Sequence, residues 1–558
     1  MRPGSPFPVP KRGNRLLLEL DLTRPLLETP PTSPVAAMRA RHAITLRSVV
    51  EALGKAAKDP QVAGLVAHVG HRQPTLAQAD ELRAAVRAFA ASGKPTVCWA
   101  ETFGEMGPGT VGYHVAAAFG VVWVQPSGDV GLTGMSAQAV FVRDTLDKLG
   151  VEPQVAQREE YKTAANMFVE TQMTPAHREM LSRIVESAME TVVGDVAHDR
   201  GLAPEAVRDC VDAAPLSAQE ARERGLVDRI GYRDEVFADL RGRLGEVDLK
   251  FVERYGKGLA AVAAAAPRRN RPVVALVQAS GPIHLGRSRP SLMSQHSVGS
   301  ENVGAALRAA AEDDDVKAVV IRVDSPGGSY VASDAIRREV HVLRRTGKPV
   351  VASMASVAAS GGYYIAMPAD EIVAEPGTLT GSIGVFAGKQ VVREALRRAG
   401  VNSETVTVGR NADMFSAQRP FDEDEWLRLE AWLDRVYADF TAKAAEDRRM
   451  DVERLRGLAK GRVWTGADAH RHRLVDTLGG LTDAVDAACR RAEVDRAAVH
   501  VRTLPRPNVL ERLRPAENSD HPAAARLAAP LGLLEQALSG LGLPADGVLT
   551  MPFDIRLR

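Results

Sequence analysis

The sequence predicts an α/β protein built as a tandem duplication, each copy a largely parallel sheet with helices packed on its faces. Two observations predict it. Short β-branched runs alternate with helix-period segments, the pattern of βαβ units, and that alternation occurs twice. The two series also superimpose: VAGLVAHV (62–69) matches VKAVVIRV (316–323), and SGKPTV (92–97) matches TGKPVV (346–351), each 254 residues later.

In chain order, the apolar run at 16–22 reads as a strand and 48–58 as an amphipathic helix. A strand at 64–69, a helix at 76–91 and a strand at 94–100 follow. The second series repeats them as a strand at 272–278, a helix at 303–312, a strand at 318–323, a helix at 332–345 and a strand at 349–355. After a four-residue insertion in the first copy, Gly112-Tyr113 matches Gly362-Tyr363 and Pro126 matches Pro376, while GLVDRIG (225–231) and RLVDTLG (473–479) close the copies. The expected organisation is a tail at 1–14, a first domain at 15–255, an Ala- and Arg/Pro-rich linker at 256–271, a second domain at 272–500 and an extension at 501–558. A short amphipathic helix is expected at 531–541.

Composition excludes several classes. Of 558 residues, 45% are hydrophobic and 25% charged, as in soluble globular proteins, and a net charge of +1 gives no reason to invoke nucleic acid. Cys98, Cys210 and Cys489 lie far apart and form no CxxC pair, which argues against structural disulfides and zinc. No apolar run approaches the roughly 18 residues of a spanning helix. The expectation is a chain without signal peptide or transmembrane segment, cytoplasmic or peripheral at the cytoplasmic membrane.

The chemistry concentrates in two turns that follow strands, Val323-Asp-Ser-Pro-Gly-Gly-Ser329 and Val357-Ala-Ala-Ser-Gly-Gly-Tyr-Tyr364. Ser360, flanked by Ala and Gly at a helix start, is expected to leave its hydroxyl uncovered. A Gly-Gly pair lets backbone N–H groups approach a reacting carbonyl oxygen. The first copy has Thr110 in place of Ser360, and Gln73 and Pro74 in place of Gly327 and Gly328. Proline has no N–H to donate, so that copy has lost the oxyanion turn. What it keeps is Glu160-Tyr-Lys-Thr-Ala-Ala-Asn-Met-Phe168, whereas the matching region 412–421 has no lysine, Lys162 aligning near Phe415.

A lysine in one copy and a serine with its glycines in the other are complementary parts of one site. Lysine can take a serine proton only when its amine is neutral, which burial promotes. Ser382, in Leu379-Thr-Gly-Ser382 where the first copy has Met135, offers a hydroxyl to orient that amine. None of the 13 histidines stands in a GxSxG or HExxH setting. No cofactor or metal is called for.

At RVDSPGGS, SVAASGGYYIA, PGTLTGSIGVF and EYKTAANMF followed by MTPAHRE, the chain resembles the long tandem form of the bacterial signal peptide peptidase A family, the protease IV type of S49 serine peptidases. The resemblance spans about 16–501. It implies a ClpP/crotonase-like ββα fold in each copy and assembly into a homotetramer. The implied activity is hydrolysis of hydrophobic peptides such as cleaved signal peptides. It places the nucleophile on Ser360, the general base on Lys162, the orienting hydroxyl on Ser382 and oxyanion donors at Gly327 and Gly328. Members of the family usually carry an N-terminal membrane anchor or signal that this sequence does not display, which leaves action from the cytoplasm or peripheral attachment to the membrane as the expectations. Two other readings compete: a crotonase-like acyl-CoA enzyme, which needs carboxylates at the glycine turns, and a non-catalytic scaffold at the membrane, which would not keep the lysine and the serine.

Overall fold

A computed structural model describes residues 15–31, 38, 40–70, 72–257, 271–288, 296–504 and 549–551. The tail at 1–14, nearly all of the linker and the helix expected at 531–541 lie outside them. The chain divides into two units. The first comprises Met1–Ser136, Ala188–Arg268 and Arg558; the second comprises Ala137–Ser187 and Arg269–Leu557. The segment 137–187, assigned by sequence order to the first domain, therefore packs within the second unit.

Each unit carries the same parallel sheet. In the first the order is Arg229–Ile230, Val121–Val124, Thr96–Ala100, Val62–His68, Arg15–Asp21, Val247–Phe251. In the second it is Thr477–Leu478, Glu371–Ala374, Val350–Ala359, Val316–Ser325, Val273–Ser280, His500–Leu504. The duplication read from the sequence is thus a duplication of topology. One boundary moves: His500–Leu504 is the counterpart of Val247–Phe251 and pairs with Val273–Ser280, so the second copy ends past 500.

The strands of the second unit are buried on both sides, which is why they read as continuous apolar runs. Alternate residues feed two cores. Val273, Ala275 and Val277 face a cluster with Val303, Leu307, Ile336 and Val340 of the helices Ser300–Glu312 and Tyr330–Arg345. Val274 and Leu276 face one with Leu481, Val485 and Ala488 of the helix Leu481–Arg491. The helix Tyr330–Arg345 starts where the Ser329 hydroxyl accepts a hydrogen bond from the Ala332 N–H, a cap worth about 1 kcal/mol. It buries Ala332, Ile336, Val340 and Leu343 at helical spacing.

Val350–Ala359 serves two neighbours. Its first half pairs with Glu371–Ala374 and its end, Val357 to Ala359, pairs with Leu379–Gly381. The second pairing extends the sheet past the usual strand end and delivers Ser360 and Ser382 side by side. A separate small sheet, ordered Val298–Gly299, Ile283–His284, Gly327–Gly328, Leu549–Thr550, lies next to this end. Among the described residues no helix is long and apolar enough to cross a membrane.

Candidate active site

The lysine reaches this place through one antiparallel ladder. Glu152–Gln157 pairs with Phe386–Val391, Gln157 opposite Phe386 and Glu152 opposite Val391. The Arg158 N–H donates to the Val385 carbonyl at 3.0 Å and continues the ladder by one step. Lys162 lies five residues beyond one strand and Ser382 four before the other, so both leave the ladder at the same end. All of these residues belong to the second unit.

There the Lys162 amine lies within hydrogen-bond distance of the Ser360 hydroxyl at 2.8 Å, the Ser382 hydroxyl at 3.0 Å and the Ser382 carbonyl at 3.1 Å. All three residues are fully buried. Burial alone holds the Lys162 amine well below the ordinary lysine range. The structure brings together the lysine and both serines singled out in the sequence.

Both serines sit at positive φ, 56° for Ser360 and 50° for Ser382, a region L residues rarely occupy. Backbone bonds hold each there. The Ser360 N–H donates to the Gly381 carbonyl at 2.8 Å, and the Ser382 N–H donates to the Arg462 carbonyl at 2.7 Å. The hydroxyl of Ser360 was expected to be uncovered, and it is not. Lys162 lies against it, and a cluster containing Ala359, Leu379, Val463, Met180 and Met551 closes over the strand end.

The two glycines of the first turn differ. The Gly327 N–H donates to the Ser325 hydroxyl at 3.2 Å. Both stand beside the serine: a methyl group built on Gly361, the residue after Ser360, would lie 3.1 Å from the Gly327 Cα and 3.1 Å from the Gly328 nitrogen. The sequence reading gave Gly361 only as the small residue flanking Ser360, although its place directly after the serine marks its N–H as well.

Also missed was the segment 460–462. The Tyr161 N–H donates to the Lys460 carbonyl at 3.1 Å, and the Gly461 N–H to the Ile383 carbonyl at 2.8 Å. This backbone stitches the lysine segment to the serine segment. Nothing in its local sequence announces that role, because its partners are brought to it by tertiary pairing alone.

A group able to hold a metal, Asp80, His114 and Asp195, lies in the first unit. Asp195 is already engaged there by the His114 ring at 2.9 Å and the Arg83 guanidinium at 3.3 Å. A fixed cation in the cluster opposes a second one.

A parallel α/β frame that presents a serine at the mouth of one of its two longest strands has the layout of a serine hydrolase. The stretches 88–247 and 342–495 match the model of peptidase family S49. The chain is 33% identical over 468 residues to the chloroplastic serine protease SPPA of Arabidopsis thaliana, covering 82% of this chain and 67% of that protein. It is 32% identical over 466 residues to Protease 4 of Salmonella typhi, covering 81% and 72%. Against Protease 4 of Haemophilus influenzae it is 29% identical over 458 residues, covering 80% and 72%. The chain belongs to peptidase family S49, and by class it is a serine peptidase.

Proposed function

We propose that the chain is a serine endopeptidase in which Ser360 is the nucleophile and Lys162 the general base, acting on hydrophobic peptides of the kind left when signal peptides are cleaved. The observation that carries this reading is the buried amine 2.8 Å from the Ser360 hydroxyl. Neutral Lys162 accepts the hydroxyl proton as Ser360 attacks the peptide carbonyl. The oxyanion rests on N–H groups of the turn at Gly327 and Gly328, beside which Gly361 stands. Lys162 then gives the proton to the leaving amine and activates the water that frees the acyl-enzyme. Ser382 holds the amine in line from its other side.

Neither a crotonase-like acyl-CoA enzyme nor a scaffold gives a reason for burying a lysine against two serines. The test is hydrolysis of casein and of a synthetic signal peptide by the wild type, Ser360→Ala and Lys162→Ala. Each variant is expected to lose on the order of 10³-fold or more in turnover. Wild-type turnover in either one would sink the assignment.

The same reading includes a homotetramer in peripheral contact with a membrane. The count of four and the membrane contact come from the family resemblance. Support for assembly comes from the duplication. The helices Arg143–Leu149 and Arg393–Arg398 end near equivalent glycines, Gly150 at φ 75° and Gly400 at φ 78°. That fixes the offset here at 250, so Ala412 rather than Phe415 is the counterpart of Lys162. The counterparts of the paired strands are then 136–141 and 402–407. Neither belongs to a described strand, and 402–407 is exposed throughout, with Val406 98% exposed. A neighbouring copy would supply what each lacks. Joining 136–141 of one chain to 402–407 of the next makes a head-to-tail joint of the type that closes into rings.

A further inference from the structure

The small sheet beside Ser360 ends in a strand that no feature of the peptidase motifs accounts for. Leu549–Thr550 runs antiparallel to Gly327–Gly328, with Thr550 opposite Gly327 and Leu549 opposite Gly328. The Met551 N–H donates to the Pro326 carbonyl at 2.7 Å. Met551 is 5% exposed, packed in one cluster with Met180, Ile184, Ala359, Leu379 and Val463. Ala359 is the residue before the serine. The strand thus lies along the glycine edge, and its last residue fills the apolar hollow next to Ser360.

Gly327 and Gly328 adopt φ 107° and 151° and present no side chain. Such an edge recognises backbone, the mode in which an extended peptide adds a strand to a sheet. We propose that Leu549–Met551 is a tethered peptide ligand of this cleft: it holds the strand position that an incoming peptide must take, so the chain competes with its own substrate. The proposal rests on the peptidase reading for what the incoming peptide is. Among the described residues the docked stretch is Leu549–Met551, with Met551 in the hollow, a contact that an incoming peptide can displace. They also indicate what the cleft selects: an extended segment with an unbranched apolar residue two positions after the one facing Gly328.

Competition by a tether follows effective concentration. A tether that presents its ligand at an effective concentration of about 1 mM weakens external binding about tenfold when the free-peptide Kd is on the order of 0.1 mM. The test uses the full chain in a Ser360→Ala background, so that no probe is consumed. A labelled heptapeptide with the sequence of residues 547–553, GVLTMPF, is titrated by fluorescence anisotropy. Three proteins are compared: Ser360→Ala alone, with Met551→Asp, and with Met551→Pro. Aspartate puts a charge in the apolar hollow; proline removes the N–H that reaches Pro326. Both are expected to tighten probe binding about tenfold. In the chain with Ser360 intact, Met551→Asp is expected to lower KM by a similar factor and leave kcat unchanged.

Equal probe affinity in all three proteins, or no probe binding up to 1 mM in the two released variants, would overturn the proposal. The peptidase reading fails separately. Tight probe binding by the released variants together with no hydrolysis by the intact chain would remove the enzyme and keep the docked strand.

Discussion

Gly461 stands against the backbone of Lys162 so closely that a methyl group on it would lie 2.5 Å from the Lys162 nitrogen and 2.6 Å from its Cα. Gly461 is also at φ 77°, where a side chain costs about 1–2 kcal/mol on its own. Gly461→Ala is therefore expected to push the lysine segment away from the serines. A shift of about 1 Å in a reacting group costs roughly 10²-fold in rate. The expected result is a drop of that order in kcat for casein with a modest fall in Tm. Unchanged kcat in a folded Gly461→Ala chain would show that the lysine does not depend on this contact.

Much of this was legible in the sequence, and the reason is the duplication. The loss of Ser360, Gly327 and Gly328 in one copy and of Lys162 in the other marked those positions without any structure. Two matters were not legible. The placement of 137–187 in the second unit depends on the ladder between Glu152–Gln157 and Phe386–Val391, and strand partners are not written in the strands themselves. Gly461 is one of 47 glycines, and only its neighbour in space separates it from a turn glycine. Leu549–Met551 carries no motif, so nothing in the sequence of the extension marks it, its place being set by the edge it docks on.

The Lys162 amine, lowered by burial, makes a prediction with a definite sign. In the unfolded chain it titrates near 10.4; in the folded chain it titrates well below that. Between the two values the unfolded state binds the extra proton, so this group's contribution to stability rises with pH. Lys162→Met removes it. The stability of Lys162→Met minus that of the wild type is therefore expected to fall steadily from pH 7 to pH 10, followed by urea unfolding. A difference flat across that range would mean that the amine is charged in the folded protein. Activity follows the same proton: kcat/KM of the wild type rises with pH through the folded-state value, and Lys162→Arg stays inactive at every pH.

Ser382 touches the Lys162 amine rather than the Ser360 hydroxyl, so its effect should be graded. Its hydroxyl lies 3.0 Å from the Lys162 amine, while the Ser382 carbonyl at 3.1 Å remains after substitution. Ser382→Ala is expected to lower kcat by about 10–100-fold, the loss of one hydrogen bond of about 1.4–3 kcal/mol in the transition state. It should also move the midpoint of the pH–rate profile, because a contact that orients the lone pair also sets the basicity of the amine. A purely structural serine would change Tm and leave that midpoint in place.

The proposed joint between neighbouring chains can be tested at a single rung. In the ladder within the chain, the bond from the Arg158 N–H to the Val385 carbonyl marks a hydrogen-bonded pair. Alternation along antiparallel strands then makes Gln390 and Pro153 a close, non-hydrogen-bonded pair. Their counterparts at the offset of 250 are Val140, 56% exposed, and Ser403, also exposed. Cysteines at such a pair fall within disulfide reach, and the native Cys98, Cys210 and Cys489 are all buried. Val140→Cys with Ser403→Cys in one chain is expected to give, on mild oxidation, a ladder of covalent oligomers on a non-reducing gel that ends at the closed ring. Each single variant should remain uncrosslinked, and mixing the two singles should give covalent dimers only. A double variant that stays monomeric under oxidation, or closes only within itself, would remove 136–141 and 402–407 as the joint.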